Sequence, residues 1–213
     1  MLVILAAFWI PSLLTALQVF LSPSEAQRHI SGFLNFVPPS VSQLGKVVII
    51  GFIAVRIGGG VKRFGFDRIR PKYLLDGTLV FGCLLVAVYL GSLAVSPLRD
   101  FRGYSTGASV VPFKDPWSIV PYMVAGVFFE EVLYRGYLNT RLSDLGWSRT
   151  TIAWVTAALF SATHIYQGWG SLPTIFLLGY VLSEGFSQTK SLWPVYMAHL
   201  AYDLLIVFIT SRR

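Results

Sequence analysis

Charge is what this sequence has least of. Acids and bases make up 13% of its 213 residues, where a soluble domain carries about 25%. Cysteine occurs once, as Cys83 inside an apolar run, which excludes a disulfide framework and a zinc-binding cysteine pair. No N-x-S/T glycan acceptor is present. Gly58-Gly59-Gly60 precedes Lys62 without the G-K-[ST] ending, so no phosphate loop is formed. H-E-x-x-H is missing as well, which excludes the standard soluble zinc-protease helix. Internal repeats and low-complexity tracts are also lacking.

What fills the chain is apolar. Hydrophobic residues reach 54% and mean hydropathy is +0.64. One span needs about 20 mostly apolar residues. The runs place spans at 2–21, 43–60, 74–95, 117–138, 151–166, 173–188 and 193–210. The fold class read from them is all-α, a polytopic transmembrane helical bundle of six to eight spans forming a single membrane domain, 1–213. Leu2 to Leu21 has no charge. A signal peptide would show a basic start and a shorter apolar stretch, so a first transmembrane helix is expected, with a cleaved signal as the alternative. Lys46 and Arg56 interrupt the 43–60 run and are expected to snorkel toward an interface. Segment 22–42, with Pro38-Pro39, reads as a loop holding a short interfacial helix around Phe33 to Phe36. Pro173 and Pro194 suit the first turn of a helix.

Net charge is +7 with a pI of about 9.7. The bases sit in loops between apolar runs, where membrane topology places them, and nucleic acid is excluded as a partner. The 61–73 loop holds Lys62, Arg63, Arg68, Arg70 and Lys72 against Asp67 alone, which predicts a cytoplasmic location. Alternation then puts 96–116 outside, against Arg99, Arg102 and Lys114, and 139–150 inside. Arg212-Arg213 ends outside.

Ionisable groups deep in a membrane are costly and read as functional by default. The fourth run contains Glu130, Glu131 and Arg135, the fifth Phe160 and His164, and the seventh His199 and Asp203. Glu131 and Arg135 are four apart on one helical face and can pair. Glu130 points about 100° away, free for chemistry. His199 and Asp203 are also four apart, so the carboxylate can fix the imidazole tautomer. Peptide hydrolysis needs a base for water and donors for the oxyanion, and these residue types supply both. A two-His, one-carboxylate metal site is the open alternative, with a divalent ion such as Zn²⁺. The bland readings are a structural Glu131–Arg135 pair and interhelical histidine bonds. Three polar motifs on three runs at one depth favour a site.

Taken in order, Glu130-Glu131-x-x-x-Arg135, Phe160-x-x-x-His164 and His199-x-x-x-Asp203 resemble the CPBP intramembrane proteases. That family includes type II CAAX prenyl endopeptidases and bacteriocin-processing or immunity proteins. The resemblance covers about 117–210, the expected catalytic core, with 1–116 as N-terminal transmembrane helices. It implies a helical membrane fold with a conical, membrane-embedded polar cavity. It also implies that Glu130 and His164 activate water and that His199 and the fourth position hold the oxyanion. Glu131 and Arg135 would be supporting residues. In prenyl-protein processing enzymes the last position looks like Asn; here Asp203 cannot donate when ionised, which weakens a transfer of prenyl-peptide specificity. The expected partners are a peptide or protein substrate at the membrane and the lipid bilayer. No cofactor is favoured, and a divalent metal such as Zn²⁺ is the alternative. The expected location is the plasma (inner) membrane of a prokaryote. A proton-coupled transporter and a non-catalytic scaffold or immunity protein on the same fold are the rivals.

Overall fold

A computed structural model describes residues 1–21, 37–56, 60–96 and 119–210. The expected interfacial helix at Phe33 to Phe36, Gly58-Gly59, the basic residues Arg99, Arg102 and Lys114, and Arg212-Arg213 lie outside the described residues. Among the described residues every regular element is helical. Helix α1 spans Leu2–Leu21, α2 Val37–Arg56 and α3 Lys72–Val95. Helix α4 runs from Val120–Glu131 through a π-helical stretch, Val132–Asn139, into Thr140–Asp144. Then follow α5 (Arg149–Ala162), α6 (Leu172–Thr189) and α7 (Leu192–Thr210).

Helices α1, α2, α3 and α7 are each long and apolar enough to cross a membrane. Their most apolar windows are only 17–28% buried, and Leu2, Val48, Leu74 and Leu79 project outward. Apolar surface on this scale, on helices that satisfy their own backbone hydrogen bonds, is what lipid accommodates and water does not. The protein is an all-α membrane bundle. Helix α6 packs against α3, α5 and α7, and α4 packs against α2 and α7. Small and polar residues allow the close approaches. A Cβ on Gly179 of α6 would lie 3.0 Å from Ala157 Cα of α5. One turn on, Asn139 of α4 donates to Ser183 of α6 at 2.8 Å, and Thr156 of α5 donates to the same hydroxyl at 3.3 Å.

Several boundaries differ from the sequence reading, each for a local reason. Pro38-Pro39 lies in the first turn of α2 rather than in a loop, where the missing N–H costs nothing. Lys46 donates to Gln43 at 3.1 Å and sits 5.0 Å over the Phe129 ring. The basic segment after α2 is a strap with a 3₁₀ turn at Val61–Phe64. Gly65 follows at φ +87°, and its carbonyl accepts from Leu192 N at the start of α7, 3.0 Å away.

Candidate active site

The two glutamates end the α-helical part of α4, and the π-helical stretch begins at the next residue. Its eight residues are all buried. Such stretches are rare and occur mostly at functional sites. Within it, Arg135 Nη1 lies 3.3 Å from Glu131 Oε1, with 1% and 0% of the two side chains exposed. Arg135 also donates through Nη2 to the Gly179 carbonyl at 3.2 Å and stacks over the Phe160 ring at 4.7 Å. The expected pair therefore forms and is braced from α5 and α6.

Glu131 has a second partner that the sequence reading missed. His199 Nδ1 donates to the same Oε1 at 2.7 Å. An ion-paired carboxylate only accepts, so the proton sits on Nδ1. This corrects the expectation that Asp203 fixes the His199 tautomer. Asp203 Oδ2 lies 3.8 Å from the other nitrogen, Nε2, beyond hydrogen-bond range. The i,i+4 spacing put the two side chains on one face, but a fully buried glutamate on a neighbouring helix reached the ring first.

His164 is not inside a helix. Helix α5 ends at Ala162, and His164 stands in the turn before the 3₁₀ segment Ile165–Gln167. The Phe160 carbonyl, free at the helix end, accepts from His164 Nδ1 at 2.8 Å and from Thr163 Oγ1 at 2.9 Å. A carbonyl cannot donate, so His164 too carries its proton on Nδ1. The same helix end is clasped from two sides. Trp9 of α1 donates to the Leu159 carbonyl at 2.9 Å, and the Tyr134 hydroxyl lies 3.5 Å from it and 3.1 Å from Thr163 Oγ1. Trp9 and Tyr134 both sit in π-helical turns.

With both Nδ1 atoms committed, both Nε2 atoms face Glu130. They lie 4.0 Å (His164) and 3.9 Å (His199) from its carboxylate oxygens. Glu130 and Asp203 keep 28% and 33% of their side chains accessible, whereas the rings are nearly closed off. The arrangement brings two partly accessible carboxylates against two oriented imidazoles. Among the described residues no group of three or more His, Cys, Asp and Glu side chains is set to hold a metal ion.

Residues 112–205 match the family model described as type II CAAX prenyl endopeptidase Rce1-like. This segment is Rce1-like. The match spans α4 to α7, contains Glu130, His164, His199 and Asp203, and agrees with the resemblance carried by the three motifs. No curated protein and no solved structure is significantly similar to the chain. The Rce1-like segment leaves out α1, so Trp9 carries no motif signal. The Phe160 carbonyl was within reach of sequence reasoning, because Phe-x-x-x-His places it one helical turn before the ring.

Proposed function

We propose that the chain is an intramembrane endopeptidase that hydrolyses a peptide bond in a membrane-associated protein or peptide, using water activated by Glu130 and His164. One observation carries this reading. Both rings are held through Nδ1, so two Nε2 atoms face one carboxylate across gaps of 4.0 and 3.9 Å, a separation that a bridging water spans.

The steps follow from the donor and acceptor inventory. Glu130 takes a proton from the water, and His164 Nε2 accepts its second hydrogen and orients it. The hydroxide oxygen adds to the substrate carbonyl carbon. His199, when protonated, donates Nε2–H to the developing oxyanion, while Glu131 balances its charge from the Nδ1 side. Asp203 faces the same Nε2 and stabilises the protonated ring by charge. Glu130 then returns its proton to the amide nitrogen as the C–N bond breaks, leaving a carboxylic acid and an amine, and the acid's proton passes to the amine to give carboxylate and ammonium. The metal alternative would use Glu130, His164 and His199 as ligands. A multi-pass protein of the plasma membrane of a prokaryote is the setting we infer.

The test is cleavage of membrane-anchored peptides by the purified protein in lipid, beside Glu130→Gln, each with and without chelator. Gln keeps the shape but is no base, and a loss of about 10²–10⁴-fold is expected. Wild-type turnover in that variant removes Glu130 from the reaction. Chelator is expected to leave the rate unchanged; inactivation reversed by Zn²⁺ would install the metal reading.

A further inference from the structure

The strap between α2 and α3 holds more positive charge than its own contacts neutralise. Among the described residues each nearby acid is already engaged. Asp67 accepts from Ser191 Oγ at 2.6 Å and from the Tyr73 hydroxyl. Partial burial works against its ionisation, but those two bonds and the charge of Arg70 outweigh it and hold the carboxyl below its ordinary range. Asp144 pairs with Arg63 and Arg141, and Asp76 with Lys72 at 3.5 Å. Lys62, Arg68 and Arg70 are left. Among the described residues none of them has a carboxylate at ion-pair distance. All three line one hollow of about 510 Å³, together with Ile69. That isoleucine is 69% exposed.

We propose that this hollow binds the phosphodiester headgroup of an anionic phospholipid, with Ile69 against the lipid's apolar part. Three observations converge on that ligand. The strap joins the ends of two helices apolar enough to cross the membrane, so it lies at headgroup level. Guanidinium forks match phosphate oxygens, and two of the three cations are arginines. The backbone that carries the cations is also held in place before any ligand arrives. Leu192 N donates to the Gly65 carbonyl, and Trp193 Nε1 donates to the Asp67 carbonyl at 2.7 Å, tying the strap to α7. An exposed isoleucine among three unpaired cations fits an amphiphile better than a free anion. The hollow shares no residue with the Glu130–His199 cluster, so the inference stands apart from the proposed reaction.

The experiment uses the full-length protein in neutral detergent. Short-chain phosphatidylglycerol, phosphatidylcholine of equal chain length and inorganic phosphate are titrated separately, with native mass spectrometry reading bound lipid. Phosphatidylglycerol is expected to bind more tightly than phosphatidylcholine. Each juxtamembrane base contributes roughly a fivefold factor, so Lys62→Gln, Arg68→Gln and Arg70→Gln combined should weaken binding about 100-fold. Arg149→Gln, an exposed base off the hollow, should leave binding unchanged. Arg68→Gln alone reads the same effect at about fivefold and guards against a triple variant that fails to fold. Wild-type affinity in the triple and single variants overturns the proposal. So does equal binding of the two lipids, or displacement of phosphatidylglycerol by an equal concentration of inorganic phosphate.

Discussion

At the scale of single residues, Glu131 Oε1 is the atom on which most else depends. It meets Arg135 at 3.3 Å and His199 at 2.7 Å, and all three side chains are nearly closed to solvent. Arg135→Ala leaves that carboxylate buried without its cation, at about 3–5 kcal/mol. It also removes the bond to Gly179 and the stack on Phe160. Glu130 is partly accessible and makes only long contacts, so Glu130→Gln should cost far less stability. Melting temperatures in detergent should therefore fall more for Arg135→Ala; equal values would show that the pair does not hold the fold. Asp203 makes a second residue-level test. Asn keeps its shape and adds a donor beside His199, whereas Ala removes both. Cleavage rates should rank wild type, then Asn, then Ala, with Ala losing about 10-fold or more. An Asn rate equal to the Ala rate would mean that charge alone is what Asp203 contributes. Glu130, Glu131, Arg135, His164, His199 and Asp203 were all legible as residues, because ionisable side chains stand out in apolar runs. Their pairing was less so. Spacing along one helix shows which side chains share a face, but it is blind to a partner arriving from another helix, and Glu131 arrives that way.

At the scale of elements, the end of α5 is the part that must be held still, since His164 hangs from its last free carbonyls. The donor from α1 bonds that helix end directly, so in the proposed reaction Trp9 has a positioning role. Trp9→Phe keeps an aromatic ring and deletes one N–H. The loss of about 0.5–1.5 kcal/mol in helix-end alignment should lower kcat about 3–10-fold and leave KM and melting temperature nearly unchanged. Leu14→Ala, on the outward face of the same helix, should change none of these. A KM rise without a kcat loss in Trp9→Phe would place Trp9 in substrate binding instead. Helix existence could be read from the apolar runs, but helix ends could not. The 151–166 run looks continuous by hydropathy, yet the helix stops at Ala162. Thr163 and His164 both turn back on the Phe160 carbonyl, and Gly168 supplies a φ of +89° for the turns that follow. Side-chain bonds to backbone of this kind compete with helix continuation and leave no mark in an average over many residues.

At the scale of the whole molecule, orientation follows from the strap. Its bases predict a cytoplasmic face. With Cys83 replaced by Ala, Arg68→Cys should resist an impermeant thiol reagent in intact cells and react after permeabilisation. Efficient labelling from outside would invert the whole bundle. One dimension of the bundle reaches beyond the protein. Helix α5 has 14 residues, a length of about 21 Å at 1.5 Å per residue. The hydrocarbon layer is about 30 Å thick. If α5 crosses the bilayer in the proposed setting, lipid beside it thins, or the turns from His164 to Ser171 sit below the headgroups and draw water down with them. Either way the hydration boundary dips beside the catalytic candidates. For the proposed cleavage, a scissile bond then need not be dragged to mid-bilayer, because the aqueous phase comes part of the way to meet it, and bilayer thickness becomes a variable that would set the rate.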